Sequence, residues 1–197
     1  MLHDITVEKF GIRLRPVAIE DARYIYDIRN RKDLAKYIGE MKFDFSIHLA
    51  WLNKYFDRPG DYYFCIELLS GKRIGVISIY DIINGIGEWG RWVIEPPWPA
   101  APASAWLIYH VAFDLLKLNS VFCRSVVDNI HVISFHDNSG LERDNVESGG
   151  MVIDGKPYDL MTHVLHHAKW EETQKKLEKS AKVAERFLAE AKQFECH

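Results

Sequence analysis

Val126-Val127-Asp128-Asn129-Ile130-His131-Val132-Ile133-Ser134-Phe135-His136-Asp137-Asn138-Ser139-Gly140-Leu141 is the stretch on which the reading of this chain turns. It continues a strand-like run, Ser120 to Val127, which follows a long apolar helix pattern from Ala105 to Leu116. Val132 to Asn138 reads as a short helix, and Gly140 as the left-handed stop that ends it. Strand, asparagine, short helix and glycine-apolar, in that order, describe a chain crossing the face of a ligand site.

Upstream, Glu95 to Ser104 holds four prolines, which have no ladder donors, so this is a loop. Pro102 suits the first position of the helix behind it, and that helix is apolar on nearly every side, as one buried against a sheet would be. Tyr62 to Leu68, the turn Ser70-Gly71-Lys72, Ile74 to Ile83, the turn Asn84-Gly85 and Glu88 to Ile94 make an antiparallel meander. Nearer the start, Ile12 to Val17 alternates as a strand, and Ile19, Ala22, Ile25 and Ile28 recur at helical spacing. Ser46 can cap a second helix reaching about Phe56. Downstream, Val146 to Ile153 and Tyr158 to Leu165 close the domain as a hairpin through Asp154-Gly155-Lys156. The expected fold is therefore α/β, with a mixed, mostly antiparallel sheet flanked by helices.

From Lys169 to Phe194 the composition turns to Glu, Lys and Ala, which favour helix on their own. Trp170, Leu177, Ala184 and Ala191 recur every seven residues, with Phe187 and Phe194 on the same side. Thr173 and Ser180 in the other core positions speak for one amphipathic helix rather than a strong coiled coil. Residues 168–197 are thus expected to extend a domain of residues 1–167, the helix either packing on that domain or forming a homodimer contact.

The chain has 197 residues, 48% of them hydrophobic and 13% aromatic, enough to bury the core of one ordinary domain. Its net charge of −3 comes without a long basic block, which argues against nucleic acid as the main ligand. Cys65, Cys123 and Cys196 are odd in number and lack metal-type spacing, so neither a disulfide framework nor a zinc site is indicated and a reducing cytoplasm fits. His163, His166 and His167 alternate in direction along a strand, and no metal site is read there. No run of about eighteen apolar residues occurs, so neither a signal peptide nor a membrane span is expected.

Order of elements and residues together resemble the GNAT superfamily of acyl-CoA-dependent N-acetyltransferases, over roughly Ile12 to Leu165. The likeness is greatest to the branch acting on ribosomal-protein N-termini or on amino groups of nucleotide-activated sugars. Asn129, Val132, Ile133, Phe135, His136, Gly140 and Leu141 fit that branch's segment after the long helix. Arg29-Asn30, His48, Trp51 and Glu88-Trp89-Gly90 look like its upstream positions. The resemblance implies transfer of an acetyl group from acetyl-CoA to a primary amine, by direct attack in a ternary complex. The acceptor would be an amino sugar linked to a nucleotide or a peptide amine. A non-catalytic acyl-CoA-binding scaffold is the alternative.

It also assigns residues. If the strands Glu88 to Ile94 and Ser120 to Val127 splay, their unpaired backbone can take pantetheine as an added strand. Trp92, Val93, Ile94, Asn129 and Phe135 would line it. Ala101, Ala103, Ser104 and Ala105, at the start of the long helix, would offer amides to the pyrophosphate. Here the chain departs from the family, whose loop is glycine-rich, whereas Pro99 and Pro102 have no amide hydrogen to donate. His136 stands where many members carry a proton-donating tyrosine, so it is expected to protonate the departing thiolate, and Glu88 to accept the amine's proton. Arg29, Asn30, His48 and Trp51 would roof the acceptor pocket. No cysteine stands in the active segment, which argues against a covalent acyl-enzyme.

Overall fold

The computed structural model describes residues 3–194, the side chains only as far as residue 189. Among these residues, eight strands form one sheet in the order β1-β2-β3-β4-β5-β6-β8-β7. They are β1 (Val7–Lys9), β2 (Ile12–Pro16), β3 (Tyr62–Leu68), β4 (Arg73–Ile83), β5 (Ile86–Ile94), β6 (Ser120–Val126), β7 (Glu142–Ile153) and β8 (Lys156–His166). Every pairing is antiparallel except β5 with β6. Phe10-Gly11, Asn84-Gly85 and Asp154-Gly155, each with both φ angles positive, supply the left-handed pairs that two-residue hairpins require.

Six helices flank the sheet: α1 (Ala22–Arg29), α2 (Lys32–Ala35), α3 (Phe45–Tyr55), α4 (Ala101–His110), α5 (Ile130–Ser139) and α6 (Trp170–Phe194). α4 runs on as a π-helical turn, Val111–Leu115. Buried residues of α4, among them Leu107, Ile108 and Tyr109, pack with Trp89, Ile77 and Ile79 of the sheet as the main core. On the other face, Ile25 and Ile28 of α1 and Leu52 of α3 close over Tyr63, Cys65 and Val76. α3 begins at Phe45 behind Asp44, not at a Ser46 cap, and Pro102 takes the second rather than the first position of α4.

α6 lies against α4 of the same chain. Trp170, Thr173, Leu177, Ala181, Ala184 and Leu188 are buried in a row, Trp170 meeting Trp106 with ring centroids 6.0 Å apart. Trp170, Leu177 and Ala184 of the seven-residue repeat thus pack on the chain's own domain, one of the two arrangements expected for this helix. Phe187, expected on the same side, is 56% exposed, and the side chains of Ala191 and Phe194 lie outside the described residues. The reason is geometric: a helix laid on a single partner buries a strip with spacings of three and four, a wider face than a strict heptad seam.

β5 carries the feature that shapes the site. Val76 pairs with Val93 while Ser78 pairs with Gly90, so β5 holds one residue more than β4, and Arg91 bulges with φ 49°. A left-handed non-glycine residue costs about 1 kcal/mol, which its side chain offsets. The Arg91 guanidinium donates to both Asp61 oxygens, at 2.7 and 3.0 Å, and lies 4.3 Å from the Tyr80 ring centre.

Candidate active site

β5 and β6 pair only at Ile86↔Ser120, Gly87↔Val121 and Glu88↔Phe122. Beyond Glu88 they part, which meets the condition set for an added strand, and a cleft of about 310 Å³ opens between them. Trp89 to Val93 line one wall and Cys123 to Val126 the other; Asn129, Val132 and His136 of the α5 segment close the inner end, with Arg29, Tyr37 and Ile38 across the mouth. A second cavity of about 340 Å³ lies under α1 and α3, between Arg29, His48, Trp51, Tyr63 and Arg91. Arg29 and Arg91 line both cavities.

Of the residues expected to hold a cosubstrate arm, Trp92, Val93 and Asn129 stand on the cleft wall. Ile94 does not, because it pairs with Gly75 past the bulge. Phe135 sits behind the wall, its ring 5.3 Å from that of Trp92, which it props. At the start of α4, Ala103 and Ser104 are 0% exposed. The Ser104 amide donates to Ala100 O at 2.9 Å, and its hydroxyl accepts from Trp92 Nε1 at 3.1 Å. Ala105 is equally buried. Pro102 has no amide hydrogen, and of the other first-turn residues only Ala101 is partly exposed. The residues therefore fit an extended amide-bearing arm in the cleft, while the helix start gives a pyrophosphate much less than a glycine-rich loop would.

Glu88 is buried where the strands part, and both its carboxylate oxygens accept from Arg124, at 3.1 and 2.9 Å. It is absent from the cleft wall, so it anchors Arg124 rather than standing open as a base. His136 is 1% exposed, with the Trp89 ring edge-on at 5.4 Å. Burial, with His163 alongside, pushes its pKa down to about 3. The expected proton donor therefore stands on the cleft wall, its resting ring held toward the neutral form by burial.

The acceptor-side residues divide. Asn30 is structural: its side-chain oxygen accepts the Met41 amide at 2.7 Å and ties down the segment after α2. His48 is buried beside Arg29, and burial together with that charge lowers its pKa. Its ring stacks on Trp51 with centroids 6.1 Å apart. Arg29 Nε is buried with no hydrogen-bond partner, and among the described residues no ion pair holds its guanidinium. Sequence reasoning missed Cys123, which reads as an ordinary apolar strand residue. It lines the cleft, with Sγ 3.5 Å from His136 Nε2. Burial and nearby Glu88 raise its pKa well above the ordinary thiol range, which keeps it a thiol and not a nucleophile.

A mixed sheet that parts between two parallel neighbours leaves unpaired backbone on both walls of the gap, open to an extended ligand. The chain belongs to the acetyltransferase (GNAT) domain family, whose model matches residues 12–142. It is an acyl-CoA-dependent N-acetyltransferase, with acetyl-CoA as cosubstrate. Among solved structures, spermidine N-acetyltransferase from Vibrio cholerae in complex with CoA and spermine has a TM-score of 0.76 at 18% identity, covering 83% of this chain and 99% of that one. A GCN5-related N-acetyltransferase from Brucella melitensis gives 0.76 at 18%, over 90% and 85%. Apo FdhC, a nucleotide-linked sugar GNAT, gives 0.73 at 24%, over 87% and 96%. These likenesses establish the fold. No curated protein matches the chain. No helix among the described residues is long and apolar enough to cross a membrane.

Proposed function

We propose that the enzyme acetylates the amine of an anionic acceptor, such as an amino sugar carried on a nucleotide, by direct attack on acetyl-CoA held in the β5–β6 cleft. The observation that carries this reading is the charge on the walls. Arg29, Arg91 and Arg124 line the two cavities, and no carboxylate does. Arg91 and Arg124 are neutralised by Asp61 and Glu88, which leaves Arg29 to receive an anion. A polyamine would meet a like charge there and no carboxylate to pair with, a cost of several kcal/mol. Trp51, half-buried on the wall of the second cavity, adds an aromatic side chain beside Arg29 for a base or sugar ring to contact.

Acetyl-CoA supplies the acyl group and the leaving thiolate. The backbone of β5 at Trp92 and Val93, and of β6 at Ser125 and Val126, would hold its arm, with Asn129 at the end of the cleft. Trp89, Trp92 and Val132 keep water from the wall and so strengthen every polar contact within it. A thiol-release assay over nucleotide-linked amino sugars, peptide amines and polyamines tests the reading. Turnover is expected with the nucleotide-linked amines. Turnover confined to spermidine or another polycation would contradict it.

A further inference from the structure

Behind the cleft wall lies a set of titratable groups that binding and charge recognition do not use. His136 of α5 and His163 of β8 are 1% and 0% exposed, with ring centroids 5.1 Å apart. Each leaves its Nδ1 buried without a hydrogen-bond partner. Their Nε2 atoms are accounted for: that of His136 lies 3.5 Å from Cys123 Sγ, and that of His163 lies 3.2 Å from Asp137 Oδ1. Asp137 reaches the surface and is gripped by Arg143 Nε and Nη2 at 2.9 and 2.6 Å.

These contacts set the tautomers. The Arg143 guanidinium, with His163, holds the Asp137 carboxyl down at about 2, and an ionised carboxylate only accepts. His163 therefore carries its proton on Nε2 and a lone pair on Nδ1. Were His136 also to carry its proton on Nε2, two bare Nδ1 lone pairs would face the interior unsatisfied. With S–H of Cys123 donating to Nε2, His136 instead holds its proton on Nδ1, complementary to His163. Two imidazole nitrogens in a hydrogen bond place their ring centres roughly 5 Å apart, so a small ring turn is enough to bring the two unpartnered Nδ1 atoms together.

We propose that Asp137 and His163 are positioning residues, fixing His136 as a neutral base whose Nε2 lone pair is held by the Cys123 thiol at rest and passes to the acceptor amine at the cleft wall when the thiol turns away. The inference rests on the cleft being the acetyl-transfer site. As the amine attacks the acetyl carbon, its N–H bond breaks and Nε2–H forms on His136. The Nδ1–H of His136 passes to Nδ1 of His163, and the positive charge comes to rest on His163 beside Asp137 rather than on the ring walled in by Trp89 and Trp92. As the C–S bond breaks, Nε2–H goes to sulfur and His163 returns its proton. One proton moves from nitrogen to sulfur, and every group ends as it began. The titratable and charged groups facing the pair are Cys123 from β6, Asp137 on α5 itself and Arg143 from β7 behind it; the β5 neighbours are uncharged.

Nitrogen-15 NMR of the wild-type histidines, with no ligand added, tests the assignment at pH 7. The expected result is a proton on Nδ1 of His136 and on Nε2 of His163, both rings neutral; either opposite tautomer overturns the proposal. Asp137→Asn, remote from the cleft wall, is expected to redistribute both tautomers. It should lower kcat about ten- to a hundredfold and alter the pH profile of kcat, with the Kd for acetyl-CoA within twofold of wild type. His163→Gln should lower kcat alike. An Asp137→Asn protein with wild-type tautomers, kcat and pH profile would overturn the relay. Wild-type protein that neither binds acetyl-CoA nor releases thiol would sink the cleft assignment itself, and this inference with it.

Discussion

The floor and the roof of the cleft use the same residue type to opposite ends. On the floor, Arg91 of β5 and Arg124 of β6 are each bound by both oxygens of one carboxylate, Asp61 and Glu88. On the roof, Arg29 of α1 has no such partner. The difference separates structure from recognition. The floor arginines hold a bulge and a strand fork in place, and their charge is spent doing so. In the proposed function the roof arginine keeps its charge for the anionic acceptor.

The sharpest way to break this comparison is Asp61→Asn. It strands the Arg91 guanidinium among Trp51, Tyr63 and Tyr80 and is expected to destabilise the fold by about 3 kcal/mol, read as a lower denaturant midpoint. A loss below about 1 kcal/mol would show the pair to be ornamental. Next in size is the acid response of the neutral wall. His136, His163 and His48 all have lowered pKa values in the fold, so the unfolded chain binds more protons below about 6.5, the ordinary histidine value. Their contribution to stability is complete above about pH 6.5 and is lost as pH falls below it, for His136 down to about 3. The slope approaches about 1.4 kcal/mol per pH unit for each fully titrating histidine. Urea unfolding from pH 7 to pH 4 checks this; His136→Phe should flatten the dependence, and an unchanged slope would contradict the burial account.

The smallest expected effect belongs to Glu88→Gln. It loosens Arg124, which is partly exposed, at about 1 kcal/mol, and should change kcat less than threefold with the same pH dependence. A large loss of rate, with disappearance of the limb in which a base titrates, would restore Glu88 as the proton acceptor.

Much of the fold was legible because local chemistry carries it. Asn84-Gly85 and Asp154-Gly155 dictate hairpins, Gly140 at φ 90° ends α5, and the apolar α4 pattern demands burial. The fork between β5 and β6 could be posed only as a condition, since nothing in either run tells how far the two pair. The electrostatics were not legible. Arg91 and Asp61 lie 30 residues apart and Arg124 and Glu88 lie 36 apart, so no local pattern announces either pair. Glu88 consequently read as a free carboxylate and Asn30 as a ligand residue. Cys123 and His163 carry no signal either: on a strand, a cysteine reads as a small apolar residue and a histidine as a neutral filler. In α6 the seven-residue repeat located Trp170, Leu177 and Ala184 but passed over Ala181 and Leu188, which only the wider contact with α4 selects.

The central claim is that one unspent positive charge on the roof chooses the acceptor, and Arg29→Glu tests it most directly. The measurement is kcat/KM for a nucleotide-linked amino sugar divided by kcat/KM for spermidine, in wild type and variant, with acetyl-CoA binding followed alongside. The ratio is expected to favour the anionic acceptor in wild type and to fall at least a hundredfold in Arg29→Glu, with acetyl-CoA affinity unchanged. A ratio that stays the same in the variant would contradict the account.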